Sequence, residues 1–349
     1  MNSKFYDGTR LRSKLDLDGK RPEMFLVSGN RTAGKTFDFK KFAIGEFKKG
    51  NGKFVILYRF INQCKGAAEN FFRDLEQTVY PGEIMTEKAI AGGYFYELFL
   101  NGESCGYSIA INAASKIKEK SVIFSDANRI LFDEFQAEDG RYCTDEINKF
   151  ISIHTSIARG QGQQHRYVPV YMTSNNVTIL NPYYEALGIG YRLQHNTKFL
   201  RGHGWVFENC WNENAANALA NSGIGRAFAN TAYMQYAREN TYLNDSKNFI
   251  EKMTGRNRYI CSVYWNNYCY AIREFPDTGI IYCDDRGDEM FYMKFSLLTE
   301  DHEPDRILLR PNNVMISDLR QKFQYGMFRF KNLQCKRMIL HLLSWDTIK

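Results

Sequence analysis

The feature that most constrains the fold is an eight-residue glycine loop set between a buried strand and a helix. Residues 29–36 read Gly-Asn-Arg-Thr-Ala-Gly-Lys-Thr and fit the pattern G-x-x-x-x-G-K-[ST]. The apolar run Met24–Ser28 before the loop predicts a buried parallel strand, and Phe37–Lys49 after it carries an apolar helical stripe. Lys53–Tyr58 predicts a second buried strand. Strand, helix and strand in this order form the βαβ unit of an α/β domain.

The chemistry of the loop predicts a site for ATP and Mg²⁺. Glycines let backbone N–H groups surround the phosphates, and the helix that begins near Lys35 favours their negative charge. We expect Lys35 to reach the β- and γ-phosphates and the Thr36 hydroxyl to bind Mg²⁺. Arg31 is expected to contact either phosphate or Glu134. The residues predicted to bind the nucleotide are Gly29, Asn30, Arg31, Thr32, Ala33, Gly34, Lys35 and Thr36.

Two adjacent carboxylates on another apolar strand complete the predicted hydrolysis site. Arg129–Phe135 reads as a strand that ends near Asp133 and Glu134. Asp133 is expected to hold Mg²⁺, and Glu134 is expected to polarise the attacking water. Because a small-molecule kinase needs no water-activating carboxylate there, the Asp-Glu order favours hydrolysis. Asn175, after the predicted strand Val168–Thr173, is expected to sense the γ-phosphate, as in P-loop ATPases of the additional-strand type.

An arginine on a glycine-containing loop is the candidate for catalysis between subunits. Arg159 follows a predicted helix over Asp145–Ala158 and precedes Gly160. An arginine inserted into a neighbouring subunit's site can raise the hydrolysis rate by about 10³–10⁵-fold. Arg166 is the nearest alternative.

Length and composition predict two cytosolic domains and no membrane segment. The chain has 349 residues, of which 44% are apolar, which excludes a wholly disordered chain. No apolar run approaches the ~20 residues needed to cross a bilayer, and the first 20 residues lack a signal-peptide core. We therefore expect a soluble protein that stays where it is made. Eight cysteines without C-x-x-C spacing favour reduced thiols over disulfides or zinc.

The remaining patterns predict the domain organisation. Tyr94–Leu100 and Tyr107–Ile111 flank Asn101-Gly102 and predict a hairpin that decorates the central sheet. Residues 211–240 have helical character and predict a linker. The predicted divisions are a P-loop ATPase domain over 1–208, a helical linker over 209–243 and a small α+β domain over 244–349.

The third division is predicted to begin with an antiparallel meander and to end with two helices. The predicted strands are Tyr259–Trp265, Tyr268–Phe275 and Ile280–Cys283. Ser317 is the expected N-cap of a helix to Gly326, and a second helix is expected over Asn332–Trp345.

A basic run near the end of the chain indicates a polyanion partner. Six basic residues and no acidic residue lie between positions 319 and 345. The candidates for phosphate contacts are Arg320, Lys322, Arg329, Lys331, Lys336 and Arg337.

Together these residues resemble the DNA-packaging (encapsidation) ATPases of small tailed bacteriophages, relatives of the terminase large subunit. The likeness covers most of the chain, although its motifs outside the nucleotide site are short. The segments that carry it are Arg31 in the loop, Leu131–Phe135, Thr173–Val177, residues 180–184, Phe249–Lys252, the meander and Phe323–Phe330.

The resemblance implies a motor that drives double-stranded DNA into a prohead. It implies a homo-oligomeric ring, expected to be a pentamer, on the viral portal in the cytoplasm of the infected host cell. It also implies an arginine finger acting in trans, for which Arg159 is the best match. Contacts with DNA are expected to be independent of base sequence and to use backbone charge.

The resemblance further implies an RNase H-like fold for the C-terminal domain. A nuclease of this fold needs a metal-binding carboxylate on its first strand, and Tyr259–Trp265 contains none. Asp284 and Asp285 follow the third strand, but two neighbouring acids without that partner do not make a two-metal site. The sequence therefore predicts that the fold is kept and the nuclease activity is absent.

Three other functions remain open at this stage. A different ring-forming P-loop ATPase, such as a helicase or remodeller, would share the active site. A binding module that only switches conformation, or a nucleotide kinase, is disfavoured by Glu134.

Overall fold

A computed structural model describes residues 5–160, 162, 164–179, 181–193, 197–231, 234, 249–310 and 313–344. The chain divides into two units, Met1–Asn244 and Asp245–Lys349. The strands are β1 Met24–Gly29, β2 Lys53–Tyr58, β3 Met85–Ile90, β4 Phe95–Leu100, β5 Glu103–Ala110, β6 Ala127–Asp133, β7 Val170–Asn175, β8 Phe199–Gly202, β9 Trp205–Cys210, β10 Arg258–Trp265, β11 Tyr268–Phe275, β12 Ile280–Asp284, β13 Lys294–Ser296, β14 Ile307–Leu308 and β15 Phe328–Phe330. The α-helices are α1 Thr9–Arg12, α2 Lys35–Lys48, α3 Ala67–Thr78, α4 Ala114–Glu119, α5 Glu146–Ile157, α6 Pro182–Ala186, α7 Ile189–Arg192, α8 Glu213–Asn221, α9 Gly223–Ala227, α10 Val314–Gln324 and α11 Leu333–Ser344.

The described part of the first unit contains a nine-stranded sheet in the order β3-β4-β5-β2-β6-β7-β1-β9-β8. Strands β5, β2, β6, β7, β1 and β9 are parallel, and antiparallel pairs close both edges. Strand β7 lies between β1 and β6, which is the additional-strand arrangement that the sequence predicted. The carboxyl ends of these three strands meet at one edge, where ligands bind in open α/β sheets.

The sheet is covered by helices on both faces, which explains why its central strands read as apolar runs. Because side chains alternate along a strand, Leu26 packs in one core whereas Phe25 and Val27 pack in the other. Helix α2 contributes Phe39 to the core with Phe25, and helix α5 contributes Phe150 to the core with Leu26. The predicted α/β fold is confirmed.

Two details of this unit differ from the sequence-based expectations. Strand β5 of the predicted hairpin pairs in parallel with β2, so it belongs to the central sheet and does not merely decorate it. The predicted boundary after residue 208 falls inside β9, which continues to Cys210 because it pairs with β1 along its whole length. Helices α8 and α9 lie in the predicted linker, and residues 232, 233 and 235–243 of it lie outside the described residues.

The second unit contains a six-stranded sheet in its described residues, ordered β14-β13-β10-β11-β12-β15. The meander β10-β11-β12 is antiparallel, whereas β13 is parallel to β10 and β14 is parallel to β13. The five strands β14, β13, β10, β11 and β12, in this order across the sheet, have the arrangement of the RNase H-like fold, which confirms the predicted fold. Helices α10 and α11 supply Leu319 and Ile339 to a core that also contains Val263 and Ile272.

The start of the helix after residue 313 differs from the prediction. Helix α10 begins at Val314, and the Asn313 side chain caps it by accepting a hydrogen bond of 2.9 Å from the N–H of Met315. Ser317, the predicted cap, lies one turn inside the helix. The predicted end of the last helix, Trp345, lies outside the described residues.

All eight cysteines are free thiols, as the sequence predicted. Among the helices of the described residues, none has the length and apolar character that a bilayer span requires.

Candidate active site

The glycine loop connects β1 to α2 and is anchored by its neighbours. A Cβ atom on Gly29 would lie 1.9 Å from the carbonyl oxygen of Cys210, so only glycine allows β1 to approach β9 this closely. Gly34 has a φ of 89° and caps α2. The buried Asn30 side chain exchanges two hydrogen bonds of 2.9 Å with the backbone of Asn212. The Asn30 side chain thus holds the loop in place.

The ammonium group of Lys35 lies inside the loop. It donates hydrogen bonds to the carbonyl oxygens of Asn30 (2.8 Å) and Gly29 (3.3 Å), and the residue is only 5% exposed. Burial lowers the pKa of Lys35 to about 8. The adjoining cavity of about 270 Å³ is also lined by Thr36, Asp133 and Asn175. A bound phosphate would give the buried cation an anionic partner in place of the carbonyls.

The carboxylate of Asp133 lies at the centre of the site. Its Oδ1 accepts hydrogen bonds from the Thr36 hydroxyl (3.0 Å) and the backbone N–H of Glu134 (3.0 Å), and also from the Thr173 hydroxyl. Thr36 and Asp133 are hard oxygen donors side by side, which suits Mg²⁺ bound by few protein ligands and by substrate phosphates. The described residues contain no group of three or more His, Cys, Asp or Glu side chains able to hold a metal ion. Sequence reasoning missed Thr173.

The backbone of Glu134 is strained. Its φ is 56°, a left-handed conformation that non-glycine residues rarely adopt and that commonly marks functional sites. The Glu134 side chain is exposed to solvent, but the surrounding atoms of the cavity remove part of its hydration. This desolvation, reinforced by Asp133 and Glu138 and opposed by Arg31 and Arg59, raises the pKa of Glu134. A carboxylate with a raised pKa is a better proton acceptor at neutral pH.

Arg59, at the end of β2, holds the backbone around Glu134. Its Nη1 donates to the carbonyl of Glu134 (3.2 Å), and its Nη2 donates to the carbonyl of Phe135 (2.8 Å). Its Nε faces the carboxylate of Glu146 at 3.0 and 3.1 Å, and the two side chains are 7% and 1% exposed. Arg59 therefore links β2, the residues after β6 and the start of α5.

The Glu146 carboxylate is fully engaged in this buried network. It accepts hydrogen bonds from the backbone N–H of Cys143 (2.7 Å) and from the hydroxyl of the buried Tyr183 (2.9 Å). A buried ion pair persists when every donor and acceptor is satisfied in this way. Sequence reasoning overlooked Arg59, although an arginine directly after an apolar strand is a signal that could have identified it.

Arg31 and Asn175 converge on a carboxylate that the sequence did not single out. The Arg31 guanidinium forms an ion pair with Glu138, and the Asn175 amide donates to Glu138 Oε1 at 3.2 Å. The alternatives for Arg31 were phosphate or Glu134, and its ion-pair partner in the structure is Glu138. Asn175 borders the phosphate cavity as expected for a γ-phosphate sensor, a role that stays a prediction.

Arg159 and Arg166 lie at the edge formed by the amino ends of the parallel strands, near the start of β6, whereas Asp133 lies at the edge formed by their carboxyl ends. Arg166 is buried and donates to the carbonyl of Ile157 (2.8 Å) and to Oδ1 of Asn128 (3.1 Å), so it has a structural role. Arg159 is exposed, one residue beyond the carbonyl of Ala158 that accepts from the N–H of Arg166. Strand β6 has seven residues and separates the two edges by about 20 Å. Arg159 is therefore too far from the Asp133 of its own chain to contact it.

A second cavity adjoins the other side of the glycine loop. It has a volume of about 440 Å³, and Phe5, Tyr6 and Trp211 line it. The N–H of Tyr6 donates to the carbonyl of Ala33 at 2.7 Å, which fixes this wall to the loop. Tyr6 and Arg10 both donate to the buried Glu208, at 2.8 and 2.9 Å. Sequence reasoning did not identify these residues.

Three of the six predicted DNA-contact residues have acidic partners within the second unit. Lys322 pairs with Glu274 at 3.3 Å and Arg329 pairs with Glu251 at 2.6 Å. Lys331 pairs with Asp284 at 2.8 Å and also with Asp285. The other three make contacts of other kinds or are half-buried. Arg320 donates to the carbonyl of Leu343 at 3.1 Å, and the Arg337 guanidinium lies 5.5 Å from the Trp265 ring centroid. Lys336 is half-buried.

Comparisons with known proteins identify similar chains. The profile of the family described as podovirus DNA encapsidation protein (Gp16) matches residues 2–348. The DNA packaging protein of Bacillus phage phi29 is 24% identical over 311 residues, which cover 88% of this chain and 89% of that protein. The fold is similar to that of a chain in the bacteriophage Phi-29 viral genome packaging motor assembly (TM-score 0.65, 20% identity, 99% and 98% of the chains). It is also similar to the Phi-28 gp11 DNA packaging motor (TM-score 0.60, 18% identity, 98% of each).

Replacing Arg59 should separate its structural role from its role at Glu134. Arg59→Met leaves Glu146 buried without its cation and is expected to lower the free energy of unfolding by about 3–5 kcal/mol. Adding Glu146→Met should recover much of that loss. The double variant should still turn over ATP about 10-fold to 100-fold more slowly, because the Glu134 and Phe135 carbonyls lack their donor. Urea denaturation and kcat measure the two effects, and a fully active double variant would exclude the positioning role.

Nucleotide binding should be coupled to proton uptake near pH 8. Because the pKa of Lys35 is about 8 without nucleotide, about half of the chains carry a neutral Lys35 at that pH. Phosphates raise this pKa, so binding should take up about half a proton and weaken as pH rises further. Calorimetry in two buffers of different ionisation enthalpy measures the uptake. Lys35→Arg, which stays charged, should abolish it, and equal binding heats in both buffers for the parent chain would contradict the assignment.

Proposed function

The chain belongs to the podovirus DNA encapsidation protein family, and on that basis we propose that it is an ATP-driven motor that translocates viral double-stranded DNA into a prohead. The observation that supports this most directly is the convergence of Lys35, Thr36, Asp133 and Glu134 at one sheet edge, in a chain that the family profile matches over residues 2–348. The phi29 relative carries the name DNA packaging protein, and the phage motor chains share the fold.

The arrangement of side chains supports ATP hydrolysis. The loop N–H groups and Lys35 bind the phosphates, and Glu134 accepts the proton of the attacking water. Thr36 and Asp133 would hold Mg²⁺, which neutralises phosphate charge when it is bound. Arg59 keeps the Glu134 backbone in the conformation that aims its carboxylate into the cavity. In the resulting reaction the water oxygen bonds to the γ-phosphorus, the bond from that phosphorus to the β,γ-bridging oxygen breaks, and the products are ADP and inorganic phosphate.

The cavity lined by Phe5, Tyr6 and Trp211 is our proposed site for the adenine base. Residues at the end of β9 line it, and β9 pairs with β1 on the side away from β7 and β6, where the nucleoside of a triphosphate bound by the loop would extend. Aromatic side chains suit the flat face of a base. The nearby anchoring of Tyr6 to the loop couples the two halves of the nucleotide site.

Arg159 is proposed to act on the neighbouring subunit of a homo-oligomeric ring, expected to be a pentamer. Its position near the amino ends of the parallel strands supports this, because it is too far from Asp133, at their carboxyl ends, to act on a nucleotide bound in its own chain. The ring is proposed to dock on the portal of a prohead in the cytoplasm of the host cell, as the resemblance to packaging ATPases implies.

The second unit is proposed to contact DNA without cutting it. The six basic residues near the end of the chain remain the candidates, and Lys322, Arg329 and Lys331 among them form ion pairs within the unit. Strand β10 carries no carboxylate, and Lys331 and Asn332 engage Asp284 and Asp285. These features support the absence of a two-metal nuclease centre.

Mixing two inactive variants tests hydrolysis and the trans arrangement together. Arg159→Ala removes the finger but keeps Glu134, and Glu134→Gln removes the base but keeps the finger. Packaging is measured as the ATP-dependent protection of duplex DNA from added nuclease inside portal-bearing proheads. Each variant alone is expected to lose this protection. In a randomly mixed ring about one quarter of the interfaces combine an intact finger with an intact base, so packaging should return in part.

The control for the mixing experiment is Arg201→Ala, which alters an exposed arginine on the edge strand β8. It should package like the parent chain. An inactive mixture, or an active Arg159→Ala variant, would exclude Arg159 as the finger. Strand unwinding that needs no prohead would instead favour a helicase or remodeller, which family membership disfavours.

Neutralising true DNA contacts should reduce the salt dependence of duplex binding. We expect Lys336→Met or Arg337→Met to lower the slope of log K against log salt by about one counterion each. Lys331→Met tests whether an ammonium that pairs with Asp284 and Asp285 also contacts DNA. If all variants have the same slope as the parent chain, these residues do not contact DNA, and the DNA path lies elsewhere. DNA recovered from the same reactions with Mg²⁺ should be uncut, and cleavage abolished by Asp284→Ala would contradict the inactive nuclease.

A further inference from the structure

Glu138 bridges two elements of the nucleotide site that are far apart in sequence. Its carboxylate forms an ion pair with Arg31 of the glycine loop and accepts a hydrogen bond of 3.2 Å from Asn175 at the end of β7. Gly29 and Asn175 are partners in the β1–β7 register, so the two donors approach the carboxylate from adjacent strands. The Glu138 side chain is 36% exposed, which leaves it room to move.

The position of Glu138 is set by the residues before it. Gln136 is buried, and its side chain accepts from the N–H groups of Val177 (3.2 Å) and Thr178 (3.1 Å). The N–H of Ala137 donates to the hydroxyl of Tyr142 at 3.1 Å. These contacts fix the backbone on the N-terminal side of Glu138. The carboxylate is therefore presented to Arg31 and Asn175 by an ordered turn.

The donors held by Glu138 lie beside the space that a terminal phosphate would occupy, since Asn175 lines this cavity and Arg31 directly precedes Thr32, which also lines it. Asn175 lines the phosphate cavity together with Lys35, Thr36 and Glu134. A γ-phosphate in this cavity needs charge-assisted donors such as a guanidinium and an amide. Glu138, itself an anion, already occupies these two donors.

We propose that Glu138 limits the preference of the site for ATP over ADP by competing with the γ-phosphate for Arg31 and Asn175. With ADP, which lacks that phosphate, the carboxylate keeps both donors. With ATP, the γ-phosphate takes them and Glu138 is released from the site. The inference rests on the proposed nucleotide site. It assigns to Glu138 a role in specificity that is separate from the catalytic role of Glu134.

Removing the charge of Glu138 should tighten binding of the triphosphate selectively. Glu138→Gln has the same shape but is a weaker partner for Arg31, so the γ-phosphate meets less competition. We expect the full-length variant to bind the β,γ-imido analogue of ATP, with Mg²⁺, about threefold to tenfold more tightly than the parent chain. Its Kd for ADP should stay the same. Isothermal titration calorimetry measures both constants, and unchanged ADP binding shows that the variant is folded.

Asp139→Asn is the matched control for long-range charge. It removes one negative charge from the next residue, whose carboxylate pairs with Arg141 at 2.6 Å. A general electrostatic effect would strengthen analogue binding equally in both variants, and that result would overturn the proposal. In an Arg31→Met and Asn175→Ala background, Glu138→Gln should no longer change the ratio of the two Kd values.

The remaining outcomes separate this inference from the proposed function. A ratio of Kd values that is the same in Glu138→Gln as in the parent chain, with both nucleotides bound, overturns only the role of Glu138. Weaker binding of the analogue by the variant also overturns it, because Glu138 would then organise the donors for the phosphate. Failure of the parent chain to bind either nucleotide would contradict the nucleotide site itself and this inference with it.

Discussion

The parallel pairing of β6, β7 and β1 is the constraint on which the rest of the structure depends. Backbone hydrogen bonds set Asp133 opposite Thr173 and Gly29 opposite Asn175, so residues from distant parts of the chain end at one edge. The carboxylate of Asp133 then collects donors from the start of α2, from β7 and from its own neighbour. A shift by one residue in either pair would turn these side chains to the other face of the sheet.

The site combines an exposed reactive carboxylate with a buried support. Glu134 has a strained backbone, and strain persists only where the surroundings over-determine it. Here the surroundings are Arg59, which donates to the Glu134 carbonyl, and Glu146, which accepts from Arg59 away from solvent. Burying two charges is costly, and the cost is offset only because each polar atom finds a partner. This buried network holds the backbone of Glu134, the proposed base, although the residue lies on a loop.

Local patterns were sufficient for the segments whose signals are contained in a few adjacent residues. The glycine loop, strand β2 and the meander strand β11 were predicted at or near their observed bounds, because apolar runs and turn residues act locally. Short strands such as β13 and β14 were missed, since two or three residues carry no period. The cap of α10 was misplaced because Ser317 and Asn313 are both good caps, and the helix begins at the earlier one, with Met315 and Ile316 packed in the core.

The nucleotide loop, the acidic pair and the α/β class of the first unit were predictable from the sequence, because each follows from residue types at fixed spacing along the chain. The RNase H-like class of the second unit came from the resemblance to a known family. The tertiary structure sets which side chains surround the loop and the acidic pair. Arg59 and Glu146 are 87 residues apart, and Arg31 and Glu138 are 107 residues apart, so no local pattern connects either pair. It also decided that Arg166 is buried while Arg159 is exposed at the far edge of the sheet. Burial and approach in space depend on how strands pair, which spacing along the chain does not record.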